Sequence, residues 1–238
     1  MSLTRMRSPA TRGAGRTLRG SRSCPPATSW AQPTVTSTQR YFDKHAHAFD
    51  RMYARLGVAA CLRRGPQRGR EFAVSVVARH PTPDVLDVGC GPGRVAESVL
   101  DAGAARYLGI DLSPHMLALA RRRLDRYEAV ELLEGNFLDL EIPQKFDVVL
   151  ALGLFDYLEE PACAAAWMRA RCTKTLVVSF TRWDWLKAPI RHLRYELHRC
   201  PIFDYTEANV EELLAGAGFS SVEFAVRRRR GFLVSATP

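Results

Sequence analysis

A chain of 238 residues with 47% apolar and 25% charged side chains can bury one sizeable core, which excludes collagenous and disulfide-stapled classes. The formal charge of +9 invites a polyanion-binding reading, but Arg5, Arg7, Arg12, Arg16, Arg19 and Arg22 all lie in residues 1–38, which hold no Lys, Asp or Glu. Setting those six aside leaves 28 basic against 25 acidic residues in 39–238, so the folded part is close to neutral and no nucleic-acid partner is predicted.

Residues 1–38 are rich in Arg, Ser, Pro and Gly and poor in large apolar side chains. Such a segment cannot offset its ordering entropy, so a disordered tail is expected. Its acid-free composition also fits an organelle import peptide, or a start site set too far upstream. A cytoplasmic protein is the expectation, with import through the tail as the alternative. The longest clean apolar run, Val148 to Phe155, is far short of the roughly 20 residues of a membrane helix. None of the six cysteines forms a C-x-x-C pair, and no metal site is predicted.

Phe42, Ala46, Phe49, Tyr53 and Leu56 recur at helical spacing and predict a first helix. Arg63 to Arg70, with Gly65, Pro66 and Gly69, reads as a break before a helix over Glu71 to Arg79. Strands and helices then alternate. Strands are predicted at Val85–Cys90, Tyr107–Leu112, Val130–Gly135, Phe146–Gly153 and Thr175–Phe180. Between them lie helices over Arg94–Leu100, from Ser113 as N-cap with Pro114 in the first turn, and over Pro161–Arg171. Met116, Leu117, Ala120 and Leu124 share the buried face of the second of these. Thr206 caps a last helix, Glu207–Ala217. The runs about Val222–Val226 and Phe232–Ser235 read as an antiparallel hairpin. This order implies an α/β fold with a mainly parallel sheet, helices on both faces and ligands beyond the strands' carboxyl ends.

The first strand runs into Asp87-Val88-Gly89-Cys90-Gly91-Pro92-Gly93-Arg94. Three alternate glycines let the backbone turn tightly and approach a ligand closely. A dinucleotide loop would want its third glycine at position 94, which is Arg, and no G-K-S or G-K-T follows for a P-loop. Asp111, at the end of the second strand, can accept from two ribose hydroxyls and would repel a 2′-phosphate. With Asp87 nearby, a cationic nucleoside suits the loop better than a dinucleotide.

Val85 to Arg94 together with Tyr107-Leu108-Gly109-Ile110-Asp111-Leu112-Ser113 resembles the class I S-adenosylmethionine-dependent methyltransferases, over about residues 41–238. The resemblance implies a seven-stranded Rossmann-like sheet with a C-terminal antiparallel hairpin, and S-adenosyl-L-methionine as cofactor. It implies that Gly89, Gly91 and Gly93, with Cys90 among them, pass under the methionine part, that Asp87 lies near its charge and that Asp111 binds the ribose. Leu112 and Met116 would flank the adenine. Asn136, where the family usually has Asp, could still accept from the adenine amino group, beside Phe137. Ala151 and Leu152 would line the cofactor. The stretch from Tyr41 to Tyr53 looks like a helical lid, so a lid is expected over 39–80, and Tyr41 is counted with the cofactor residues. A substrate-side insertion is expected over 182–204.

Candidate catalytic residues are Asp156 and Tyr157, which follow the fourth strand where an acceptor would meet the methyl group, and His45 on the lid. Each has a plain structural reading as well. Trp183 and Trp185 could wall a flat substrate or simply pack. Arg191, Arg194, Arg199, His192 and His198 could read an anionic substrate or form a solvated face. Arg121–Arg123 suit a helix carboxyl end. No single base stands out, which is compatible with methylation of an acidic oxygen. The carboxyl half is also laid out like the magnesium-protoporphyrin O-methyltransferases. The expected partner is a small-molecule acceptor. An RNA or protein methyltransferase and a non-catalytic cofactor-binding relative remain open.

Overall fold

The computed structural model describes residues 37–54, 64–183, 188–228 and 231–238. The tail expected over 1–38 lies outside them except for Ser37 and Thr38, which open the first helix, and Trp185 lies outside them too.

In chain order the elements are α1 (Ser37–Ala54), α2 (Arg64–Val77), β1 (Asp84–Val88), α3 (Arg94–Asp101), β2 (Arg106–Asp111), α4 (Pro114–Leu124) and β3 (Val130–Glu134). Then follow β4 (Phe146–Ala151), α5 (Pro161–Arg171), β5 (Cys172–Thr181), α6 (Ala188–Leu197), α7 (Glu207–Gly216), β6 (Ser221–Arg228) and β7 (Gly231–Thr237). The seven strands lie in the order β3-β2-β1-β4-β5-β7-β6. Strands β1 to β5 are parallel, and β7 runs antiparallel between β5 and β6. Strand order reverses between β1 and β4, so a crevice opens beyond their carboxyl ends.

Alternate residues of each strand serve opposite faces. Val85, Tyr107, Val148, Leu150 and Val177 pack with Ala73, Val76 and Val77 of α2, Val99 of α3 and Leu117, Ala120 and Leu124 of α4. Their neighbours Leu86, Leu108, Val149, Leu176 and Val178 pack with Ala164, Ala165 and Met168 of α5 and Val210 and Leu214 of α7. Each fully buried Leu, Val or Met contributes about 1.5–3 kcal/mol, which fixes the sheet in register.

Helix α4 follows its sequence pattern closely. Ser113 accepts from the Met116 amide, Pro114 takes the first helical position, and the buried residues are Met116, Leu117, Ala120 and Leu124. Helix α7 starts at Thr206 with a reciprocal cap from Asn209. The break expected over Arg63 to Arg70 is corrected, because α2 runs unbroken from Arg64. Pro66 falls in the first turn, where a backbone N–H has no intrahelical partner. Gly69 is buried 3.6 Å, at its would-be Cβ, from the Leu152 side chain, so it brings helix and β4 loop together. Burial of Ala73, Val76 and Val77 then outweighs the weak helix propensity of the first half. Helix α2 is thus part of the layered core, whereas α1 and α6 pack outside it, joined through Tyr41 and Tyr195.

Candidate functional site

The loop after β1 is built for close approach. Gly89, Gly91 and Gly93 have φ of 76°, 55° and 75°, the left-handed region that penalises a side chain. The amides of Gly89 and Cys90 donate to the Ile110 carbonyl at 2.8 and 3.0 Å. The Gly91 amide donates to Asp111 Oδ2 at 2.8 Å, and Ser113 N donates to Asp111 Oδ1 at 2.9 Å. The loop is therefore sewn to the end of β2. A Cβ at Gly91 would meet nothing within 4 Å, so that glycine faces open space. At Gly89 it would come within 3.2 Å of Leu154, and at Gly93 within 3.2 Å of Ala120 on α4. Those two serve the turn and helix packing. Cys90 points its sulfur into the core beneath Gly109, where burial pushes its thiol pKa up, so only its backbone faces the loop's concave side.

Two carboxylates stand under this loop. Asp87 is buried and accepts from the Tyr107 hydroxyl at 2.7 Å. Burial lifts its pKa to about 7; the Tyr107 bond works against that and the Asp111 charge adds to it. Burial also raises Asp111, opposed by the Ser113 and Gly91 amides and reinforced by Asp43. Among the described residues no cation is hydrogen-bonded to either carboxylate, so the pair forms a negative pocket suited to a cationic ligand.

Leu112 and Met116 follow Asp111 at the start of α4, Met116 buried and Leu112 half-buried. Asn136 caps a short 3-10 turn, Phe137–Asp139, accepting from Leu138 N at 3.3 Å and donating to Asp139 at 3.0 Å. The Phe137 ring is buried edge-on to Trp167, with centroids 5.1 Å apart, so it offers the crevice its backbone rather than its ring. Ala151 is fully buried at the end of β4, and Leu152 and Gly153 turn away after it, the Gly153 amide bound to Ser179 Oγ at 2.8 Å.

Helix α1 is strapped across the start of α3 and α4. Asp50 Oδ1 takes hydrogen bonds from Arg94 Nε at 2.9 Å and Arg123 Nη2 at 2.8 Å. About two turns earlier, Asp43 accepts from the Ser113 hydroxyl and lies 3.3 Å from His115. The same N-terminal half of the helix also carries aromatic rings that face α6 and the turn after β4. Tyr41 lies 5.0 Å from Tyr195 and 5.4 Å from His198, and Phe42 stands perpendicular to Tyr157 at 5.0 Å. Tyr157 and Tyr195 join their hydroxyls at 3.0 Å. His45 bonds the Tyr41 carbonyl at 2.8 Å and stacks on its ring. Tyr41, His45 and Tyr157 thus come together in one clasp between α1 and α6. Sequence reasoning missed Asp43, Asp50 and Arg123 in this role, because their partners are distant along the chain.

Beyond β4, the turn Phe155–Tyr157 carries Asp156. Thr181, the last residue of β5, binds it twice, through its amide at 2.8 Å and through its hydroxyl. The Asp156 carbonyl accepts from Phe203 N at 2.8 Å. Its carboxylate therefore fastens the β4 loop to β5 and to the chain returning from α6. Arg191 and His192 both turn to Asp204, with His192 Nε2 2.5 Å from Oδ2 and Arg191 on Oδ1. Trp183, half exposed, lies beside His192 with ring centroids 5.3 Å apart. His198 belongs to the Tyr41 cluster, Arg199 is exposed, and the Arg194 side chain lies outside the described residues. Asp204 was not singled out in the sequence; its place beside two basic residues of α6 appears only in the fold.

Residues 85–175 match the methyltransferase domain family. Among similar curated proteins, the ribosomal protein L11 methyltransferase of Clostridium botulinum is 42% identical over 69 residues, 28% of this chain and 22% of its own. The ubiquinone biosynthesis O-methyltransferase of Thiobacillus denitrificans is 37% identical over 87 residues, 34% of this chain and 36% of its own. The chain thus spans between about a fifth and two fifths of these relatives' length. The structure of magnesium protoporphyrin IX methyltransferase from Synechocystis PCC 6803 with bound SAM superposes with a TM-score of 0.66 at 20% identity, covering 87% of this chain and 99% of that one. That likeness establishes a shared fold.

Proposed function

We propose that this chain is an S-adenosylmethionine-dependent methyltransferase that transfers the methyl group to an oxygen of a small-molecule acceptor. The observation that carries the reading is the junction of the left-handed glycine loop, open at Gly91, with the buried carboxylate Asp87 and the half-buried carboxylate Asp111. These residues fit the cofactor on both shape and charge. A backbone without a Cβ admits a closely packed ligand, and two desolvated carboxylates favour a cation. The matched methyltransferase domain and the relatives above support the same reading.

Within it, Gly89, Gly91 and Gly93 hold the methionine part, Asp111 accepts from the ribose hydroxyls, and Leu112 and Met116 flank the adenine. Asn136 and the Phe137 backbone meet the adenine edge, while Ala151 and Leu152 line the crevice wall. Asp87 balances the ligand's positive charge. The cofactor supplies an electrophilic methyl group on a sulfonium. The protein's part is chiefly alignment, and holding the reactants in line lowers the barrier by about 7–11 kcal/mol. Asp156 positions the β4 loop against β5, and Tyr157 walls the acceptor side. Tyr41 and His45 hold α1 closed over the site, excluding water. The helical lid is α1, and α6 with the residues after it as far as Asp204 forms the acceptor-side cover. Among the described residues no helix is long and apolar enough to cross a membrane.

The test is incubation with S-adenosylmethionine labelled in the methyl group, offered in parallel to hydroxylated and carboxylated small aromatics, to total RNA and to ribosomal protein. Label in an oxygen-linked methyl of a small acceptor supports the proposal. Label confined to RNA or protein would replace it with a polymer-modifying reading.

A further inference from the structure

The acceptor side holds a pair of residues that the site above leaves unexplained. His192 lies on α6 and Asp204 in the segment leading to α7, twelve residues apart, with Nε2 and Oδ2 at 2.5 Å. Asp204 is 10% exposed and His192 34%, so the carboxylate is sunk and the imidazole reaches outward. Among the described residues, His192 Nδ1 makes no hydrogen bond. Asp204 is held in place from both sides. The Phe203 amide bonds the Asp156 carbonyl after β4, and the Tyr205 amide bonds the Thr181 carbonyl at the end of β5, each at 2.8 Å. The pair is thus pinned to the two strand-end turns that bound the acceptor side. Arg191 takes the second oxygen of Asp204.

A carboxylate on one imidazole nitrogen fixes the tautomer, with the proton on Nε2 and the lone pair on Nδ1. It also stabilises the imidazolium that forms when Nδ1 takes a proton. We propose that His192, oriented by Asp204, is the general base of the reaction, and that the acceptor is a planar ring bearing a neutral hydroxyl group. This rests on the methyltransferase reading and narrows it. The need for a base favours a neutral hydroxyl over an anionic acceptor. A carboxylate needs no base. The planar ring follows from Trp183, a half-exposed indole whose ring centroid lies 5.3 Å from that of His192.

In the step, the acceptor O–H bond breaks and its proton passes to His192 Nδ1. The oxygen's electron pair forms the new bond to the methyl carbon, and the electrons of the broken sulfur–carbon bond stay on sulfur, leaving neutral S-adenosylhomocysteine. The proton then leaves the imidazolium to solvent, which His192's partial exposure permits.

The experiment uses the full chain with S-adenosylmethionine and three probes: catechol, 4-nitrocatechol and benzoate. The wild type should methylate catechol. His192→Gln should lower kcat on catechol by about 10²–10⁴-fold with KM unchanged. It should lower kcat far less on 4-nitrocatechol, whose nitro group acidifies the hydroxyl. Calorimetric affinity for S-adenosylmethionine should be the same in both proteins, which separates a lost base from a lost fold. An equal fall on both catechols would make the pair a strut and overturn the proposal. So would methylation of benzoate, or of neither catechol, by a wild type that binds the cofactor. A wild type that does not bind it removes the methyltransferase reading and this proposal together.

Discussion

Replacing Asp50 by alanine should loosen α1 while leaving the sheet intact. The Asp50 carboxylate is 19% exposed and sits between Arg94 and Arg123, whose side chains are 21% and 17% exposed. A broken buried ion pair costs about 3–5 kcal/mol, and an exposed one about 0.2–1 kcal/mol. These groups lie between the two limits, so about 2 kcal/mol is expected, with two guanidinium groups left facing each other. At about 1.4 kcal/mol per factor of ten, that opens α1 roughly 30-fold more often. Hydrogen exchange at the α1 amides from His45 to Asp50 reads this directly, since local opening is separate from global unfolding. Protection there should fall by that factor while the amides of β1 and β4 keep theirs. Burial opposes the Asp50 charge, but the Arg123 and Arg94 hydrogen bonds outweigh it and hold its pKa below the usual 3.8. Its contribution is therefore full above the ordinary carboxylate range and is lost as the pH falls through the lowered value. In the wild type, α1 should loosen only under such acidic conditions. Unchanged α1 protection in the variant, or an equal loss in β1, would refute the strap.

Asp87 gives the opposite pH dependence. Its pKa rises from 3.8 to about 7, so the stability that its proton brings is full below 3.8 and fades as the pH climbs toward 7. Urea unfolding across that window should show a decline in the wild type that Asp87→Asn lacks; parallel curves would count against a buried, uncompensated carboxylate. A cationic ligand beside Asp87 should also draw its proton off, so binding of S-adenosylmethionine near pH 7 should release protons in the wild type and not in Asp87→Asn. Gly109→Ala should cost about 1–3 kcal/mol by overpacking, because the new Cβ would lie 2.8 Å from Leu132 and 2.9 Å from the Cys90 sulfur. Adding Cys90→Ala should recover part of that loss in denaturant unfolding, and a neutral Gly109→Ala would contradict the packing.

Much of the fold was legible because its determinants are local. Ser113, Pro114 and the spacing of Met116, Leu117, Ala120 and Leu124 specify α4 without reference to anything else. The glycine pattern was legible for the same reason, since left-handed turns announce themselves in sequence. Helix α2 was not, because Gly65, Pro66 and Gly69 argue locally for a break that burial against the sheet overrides. The site divides in the same way. Asp87, Asp111 and Gly91 could be read from strand and loop. The fold alone gathers Asp50 with Arg94 and Arg123, 44 and 73 residues away, and seats Asp204 beside His192. Asp156 stands after β4 as expected, yet its bonds to Thr181, 25 residues on, could not be read from spacing. The side chains of Cys90 and Phe137 likewise turn into the core, a choice that packing rather than sequence position makes.

The central claim is that the glycine loop and its two carboxylates bind S-adenosylmethionine. Calorimetric titration of the full chain, with Asp111→Ala and Gly91→Val beside it, tests this most directly. Saturable one-site binding is expected of the wild type. A loss of affinity is expected in Asp111→Ala from the missing ribose acceptor, and in Gly91→Val from a side chain filling the open face. Binding that is unchanged in both variants would place the cofactor elsewhere, and no binding by the wild type would contradict the account at its root.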